Sequence, residues 1–238
     1  MLTLLLKRQA RAKVLAEQQT VNQSKVEPGD DMPGDVQKTS RPSLDEKPWD
    51  EVQQTLKMDL EYSRTLAGSQ EKVPFKEELI KKYTPLVKKL LSTHDNLEGL
   101  DVIWWFYQWQ IDCGLLALIH DEFKAAILKG LNTPSSWKSG GQTAYCDIVF
   151  KYSHEAQKAK KSFNSKYLSD AITDLLEGTL ATNPPLKVKM FRLAGDLLLE
   201  AGKPKEALAL FEIVMTIDPK KGGRITKVKE LKEELNHE

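Results

Sequence analysis

Apolar residues recur along most of this chain at helical spacing, and glycine or proline interrupts them at intervals that mark helix ends. Trp49, Val52, Leu56, Leu60 and Leu66 form one stripe, and Phe75, Leu79, Ile80, Tyr83, Val87, Leu90 and Leu91 form the next. Pro85 lies inside the second stripe and lacks the donor a helix interior requires, so the pattern predicts a break or kink after Tyr83. From Trp104 to Pro134 the chain reads as an aromatic helix, a glycine stop and a second helix closing at proline. The period resumes with Tyr145, Ile148, Val149 and Tyr152, and again with Leu168, Ile172, Leu175, Leu176 and Leu180 before Pro184 and Pro185. A further pair of helices spans Leu186 to Pro219 around Gly202, and Ile225, Val228, Leu231 and Leu235 share one arc of a last helix. No alternating run of β-branched residues bounded by turn signals calls for a sheet, so the fold is expected to be all-α.

Three stretches depart from this pattern. Leu4 to Gln19 holds strong helix formers with Lys7, Arg8, Arg11 and Lys13, which predicts a short basic helix. Asn22 to Lys47 carries Pro28, Gly29, Pro33, Gly34 and Pro42 among polar residues, with too little apolar surface to order itself. Thr133 to Thr143 is rich in proline, serine and glycine and is expected to expose Trp137 beside Lys138 on a mobile contact loop. The resulting divisions are a basic N-terminal helix over 1–20, a disordered linker over 21–48, a helical domain over 49–134, an exposed loop over 135–143 and a helical C-terminal region over 144–238.

Composition narrows the class. With 40% apolar and 29% charged residues the chain falls in the globular range, and no apolar run nears the roughly 20 residues needed to span a bilayer. Two cysteines, Cys113 and Cys146, fit a reducing compartment and are expected to be buried free thiols. Zinc clasped by Cys113 with His120, or by Cys146 with His154, fails because helical rise separates each pair by more than about 10 Å. The net charge of +1 conceals segregation. Besides the amino-terminal cations, Lys151, Lys158, Lys160, Lys161 and Lys166 cluster in the middle, and Lys220, Lys221, Arg224, Lys227, Lys229 and Lys232 crowd the carboxyl end.

Catalytic constellations are scarce. A phosphate-binding loop needs G-x-x-x-x-G-K-S/T, and neither Gly140-Gly141 nor Gly222-Gly223 fits it. The acidic string Ser43 to Lys47 falls in the predicted linker, where nothing preorganises metal ligands, and His94-Asp95-Asn96 reads as a cap or turn. Asp112 is the remaining acid of interest, placed two residues before a helix-ending glycine, where it would fix the interhelical turn.

Trp109, Asp112 and Gly114 form W-x-x-D-x-G, followed in ungapped order by Ala117, Ala126, Gly130, Leu131 and Pro134. This series resembles the small terminase subunit of temperate tailed phages with cohesive-ended DNA, a family also labelled the terminase endonuclease subunit. The pair of helices around Gly202, with Ala207, Phe211 and Pro219, looks like a tetratricopeptide hairpin, and setting Gly114 on Gly202 also sets Phe123 on Phe211. An irregular helical domain with such hairpins, after a basic helix and flexible linker, is the expected architecture.

The terminase resemblance implies binding to double-stranded phage DNA at the packaging site, oligomerisation as a ring, and recruitment of a large subunit that would bring ATP and magnesium. It further implies a part in cohesive-end cutting, in the cytoplasm of the bacterial host. No cofactor or metal is expected in this chain. Lys7, Arg8, Arg11 and Lys13 are the expected DNA contacts, whereas Trp109, Asp112, Gly114 and Pro134 are expected to serve the fold. Two other readings remain open: a helical scaffold that binds protein alone, and an autonomous metal-dependent endonuclease.

Overall fold

The computed structural model describes residues 43–236. The predicted basic helix over 1–20, with Lys7, Arg8, Arg11 and Lys13, and most of the linker lie outside the described residues. Among the described residues there are nine α-helices and no strand. A short 3-10 turn (Leu44–Glu46) precedes α1 (Trp49–Thr65), α2 (Gly68–Thr93), α3 (Asp101–Asp112), α4 (Leu116–Leu128) and α5 (Gly141–Lys158). There follow α6 (Lys166–Glu177), α7 (Pro184–Glu200), α8 (Pro204–Ile217) and α9 (Ile225–Asn236).

The 3-10 turn lies at the end of the stretch read as linker. Leu44 is buried in the main core, and Lys89 Nζ on α2 donates to the Asp45 carbonyl at 2.6 Å. One apolar side chain anchors a segment whose neighbours offer none.

Of the break or kink expected after Tyr83, the break does not occur: α2 runs through both Pro74 and Pro85. A proline inside a helix costs about 3 kcal/mol. Leu79, Tyr83, Leu86, Val87 and Leu90 are all buried on this helix, and each such side chain contributes about 1.5–3 kcal/mol. Packing on both sides of Pro85 therefore exceeds the local defect, and Thr84 Oγ1 donates to the Ile80 carbonyl at 2.6 Å beside it.

Consecutive helices pack against one another from α2 to α9, and α7 also contacts α5. The centre is aromatic. Tyr83 lies 5.3 Å from Trp109, and Phe123 lies 5.7 Å from Trp104, 5.0 Å from Tyr107 and 5.7 Å from Tyr145, centroid to centroid. One buried polar node joins three helices here. His120 Nδ1 donates to Asp121 Oδ1 at 2.8 Å, which leaves Nε2 to accept from the Tyr145 hydroxyl at 2.9 Å. The imidazole is stacked on Tyr167 at 3.8 Å, so α4, α5 and α6 meet at this ring.

Several helix ends share one turn, and one of them breaks its usual residue choice. After α3, Gly114 takes φ +78°, its N–H donates to the Ile111 carbonyl and Leu115 N–H donates to the Gln110 carbonyl, both at 2.9 Å. Gly202 closes α7 the same way, with bonds to Leu199 and from Lys203 to Leu198. This turn needs a left-handed residue, which glycine adopts without strain. At the end of α5 the same two bonds form with Lys160 in the left-handed position, at φ +52°. For a residue with a Cβ that conformation costs about 1–2 kcal/mol.

In the hairpin α7–α8 the two helices pack closely, and Gly195 is the reason. A Cβ at Gly195 would stand 2.4 Å from Phe211 Cε1. Phe211, Ala207 and Leu231 form a second apolar cluster on which α9 docks through Leu231.

Two outcomes follow for folding stability. Gly195→Ala is expected to destabilise by about 1–3 kcal/mol through overpacking against the immobile Phe211 ring, more than the ~1 kcal/mol that alanine gains in helix propensity. Urea denaturation would show this, and an unchanged midpoint would mean the helices part freely. Tyr145→Phe is expected to lose about 1–3 kcal/mol by leaving the buried His120 Nε2 without a donor. A denaturation midpoint equal to that of the natural chain would show that the node contributes nothing.

Candidate functional site

The motif residues serve the join between α2, α3 and α4. Trp109 is buried at 2% exposure against Tyr83, whose hydroxyl donates to Asp59 Oδ2 of α1 at 2.7 Å. Burial, aided by Asp59, pushes the Tyr83 hydroxyl upward from the ordinary phenol range. Asp112 lies at the exposed end of α3. It accepts from Lys76 Nζ of α2 at 2.5 Å and from Gln108 Nε2 one turn back at 2.8 Å. Pro134 is buried beyond the far end of α4, and thirteen helical residues separate it from Gly114 by about 20 Å. These four residues do not converge on one cavity, and Asp112 is held by a cation rather than aimed at a space.

The loop after α4 is tied down more than its composition suggests. Asn132 Oδ1 accepts from Gly141 N at 2.6 Å, which joins the two ends, and Thr133 Oγ1 donates to the Ser139 carbonyl at 2.7 Å. Trp137, expected on a mobile loop, sets its ring edge-on to Trp104 at 5.5 Å and Trp105 at 5.9 Å. Lys138 is exposed beside it.

A groove of about 390 Å³ lies between α1 and the start of α3, walled by Trp49, Leu56, Leu60 and Trp105 and edged by Lys57, Arg64 and Asp101. Burial raises the Asp101 carboxyl from its ordinary value. Its apolar walls suit a flat or apolar group, and nothing there forms a nucleophile and base pair.

The other chemistry candidates are dispersed. Asp45 and Glu46 belong to the 3-10 turn, and His94 Nδ1 lies 2.9 Å from Thr93 Oγ1 and 3.2 Å from the Leu90 carbonyl at the end of α2. Among the described residues no group of three or more His, Cys, Asp and Glu is arranged to hold a metal ion. Cys146 is fully buried, and burial pushes its thiol up to about 12, whereas Cys113 is only half-buried.

The basic clusters fare differently. At the carboxyl end Arg224 pairs with Asp196 at 2.5 Å, Lys227 with Glu230 at 3.3 Å and Lys232 with Glu212 at 2.6 Å. In the middle cluster Lys151 pairs with Asp147 and Lys166 with Asp170, while Lys158, Lys160 and Lys161 form no ion pair among the described residues. The partners Lys76 and Asp59 carried no sequence signal, since only packing brings α1 and α2 beside α3, whereas Gln108 stands at the local i,i+4 spacing from Asp112. Among the described residues no helix is long and apolar enough to cross a membrane.

The phage small terminase subunit family matches residues 53–183, more than half of the 238-residue chain. No curated protein and no solved structure matches the chain. The matched span runs from early in α1 to the residue before α7, so it contains the W-x-x-D-x-G turn, the tied loop and the lysine-bearing end of α5. The chain belongs to the phage small terminase subunit family, and its role lies in the packaging of phage DNA.

Proposed function

We propose that this chain is the DNA-recognising subunit of the packaging machine. It binds the packaging or cohesive-end site of double-stranded viral DNA, assembles as a homo-oligomeric ring and directs endonucleolytic cutting by the large ATPase subunit. The family match over residues 53–183 is the observation that carries this reading. Lys7, Arg8, Arg11 and Lys13 supply a phosphate-contacting arm, and their sequence spacing is one at which a helix would group Lys7, Arg8 and Arg11 within about 100°. Such contacts position the protein and give salt-sensitive affinity without reading bases.

ATP and magnesium belong to the large subunit in this reading. The sequence holds no G-x-x-x-x-G-K-S/T spacing, and the acid within the family motif is already engaged, Asp112 by Lys76 and Gln108. The protein works in the cytoplasm of the bacterial host and does not enter a membrane.

The test is retention of the full chain on cohesive-end duplex and on shuffled duplex across a salt series, with magnesium present and strand integrity read on the same samples. Site-preferring, salt-sensitive retention without cuts is expected. Charge reversal at Lys7, Arg8 and Arg11 should flatten the salt dependence by about one unit of log-log slope for each phosphate that no longer meets a cation. Absence of binding at low salt would favour the protein-binding scaffold. Cutting by the chain alone, abolished by substitution of a named acid, would return the chemistry to this subunit.

A further inference from the structure

The end of α5 carries a turn built for glycine and occupied by lysine. Lys160 N–H donates to the Gln157 carbonyl and Lys161 N–H to the Ala156 carbonyl, both at 2.9 Å, with Lys160 at φ +52°. The equivalent positions after α3 and α7 hold Gly114 and Gly202. Lys158, Lys160 and Lys161 are exposed. Elsewhere in the same cluster Lys151 and Lys166 are neutralised by acids four residues back or on, but none of these three ammonium groups has a carboxylate partner among the described residues.

A second basic turn stands beside the first. Gln157 Nε2 donates to Glu200 Oε1 at 3.1 Å, which sets the end of α5 against the end of α7, where exposed Lys203 and Lys205 follow Gly202. Lys203 shares Glu206, and Lys205 is unpaired among the described residues. The apolar side chain of the α5 turn, Phe163, is engaged edge-on with Tyr152 at 6.5 Å, so this end presents cations without an apolar anchor.

We infer that the lysine turn at Lys158, Lys160 and Lys161, with Lys205 beside it, grips the phosphate backbone of duplex DNA independently of sequence. The inference rests on the DNA-binding reading above and adds to it a surface inside the folded unit. Three cations fall within about 10 Å of chain, and duplex DNA offers one negative charge per roughly 1.7 Å of its axis, a density that matches. A protein partner would more typically seek an apolar patch inside its polar rim. A helix end accepts cations for its own dipole, but that explains Lys158 and not a strained Lys160, since glycine there would hold the turn better. Strain kept at an exposed position points to a task for the side chain.

The experiment compares the full chain with Lys160→Gly and with the triple variant Lys158→Gln, Lys160→Gly, Lys161→Gln, using a shuffled linear duplex over a salt series and polyglutamate as a second probe. Helicity and thermal midpoint are read on the same preparations. Expected is a Lys160→Gly midpoint about 2–4 °C higher, with weaker duplex retention despite the gain. The triple variant should lose about 3 units of log-log salt slope.

Binding by the natural chain with an unchanged slope in the triple variant would overturn the inference and leave the DNA-binding reading standing. Failure of the natural chain to hold duplex at low salt would overturn both. Duplex retention unchanged while polyglutamate retention falls would assign the turn to an acidic protein, and a lower midpoint for Lys160→Gly would remove the strain argument.

Discussion

Helix α3 has almost no side that tolerates water, and the first half of the fold is arranged around covering it. Val102, Ile103, Trp104, Phe106, Tyr107, Trp109 and Gln110 are all buried on twelve residues of helix. Coverage comes from α2 through Tyr83, from α4 through Phe123 and from the loop after α4 through Trp137. Each large side chain removed from water contributes a few kcal/mol, about the size of one backbone defect. Local faults therefore persist where they adjoin this seam: Pro85 stays inside α2, and Trp104 Nε1 stays buried without a partner. Its ring packing outweighs a missing hydrogen bond worth about 1–3 kcal/mol.

The two glycine-closed hairpins show how one side chain sets the spacing between helices. Gly114 on Gly202 places Phe123 on Phe211, and both phenylalanines are fully buried. At the same offset Gly195 falls on Tyr107. In the second hairpin the phenylalanine ring lies on bare backbone at Gly195, and α7 and α8 come close. In the first it meets the Tyr107 ring at 5.0 Å, and the Tyr107 hydroxyl donates to Glu122 at 2.8 Å. The turn is common to both, and the ring opposite the phenylalanine decides how tight each pair becomes.

Much of this was legible in the sequence because helix periodicity and helix stops are local signals. The all-helical class, the helix pair around Gly114 and the last helix carrying Leu231 follow from spacing that a reader can count. What escaped was decided at long range. Lys76 reaches Asp112 across 36 positions, and His120 meets Tyr145 across 25. Pro85 did not break its helix because a proline signals a local defect while the compensation arrives from Trp109 on another helix. Trp137 is exposed as its loop composition forecast, but the seat that two tryptophans of α3 give its ring could not be counted along the chain. Lys160 was visible only as a charge, since its left-handed backbone appears once the turn is built.

Near-neutral net charge and a charged function are compatible because ion pairs within the fold cancel some cations locally and leave others to face solvent. Of the six cations at the basic carboxyl end, Arg224, Lys227 and Lys232 are each tied to an acid, Arg224 also lying 5.3 Å over the Phe211 ring, whereas Lys220, Lys221 and Lys229 form no ion pair among the described residues. Lys76, Lys82 and Lys124 likewise hold Asp112, Asp59 and Asp174 between helices. A cation so paired attracts a distant polyanion weakly, because its field is cancelled within a few ångströms and screened beyond about 10 Å. The positive surface relevant to DNA is therefore the remainder after internal pairing. In the folded unit that remainder includes the end of α5, where the chain accepts a strained lysine in a turn that its other hairpins close with glycine.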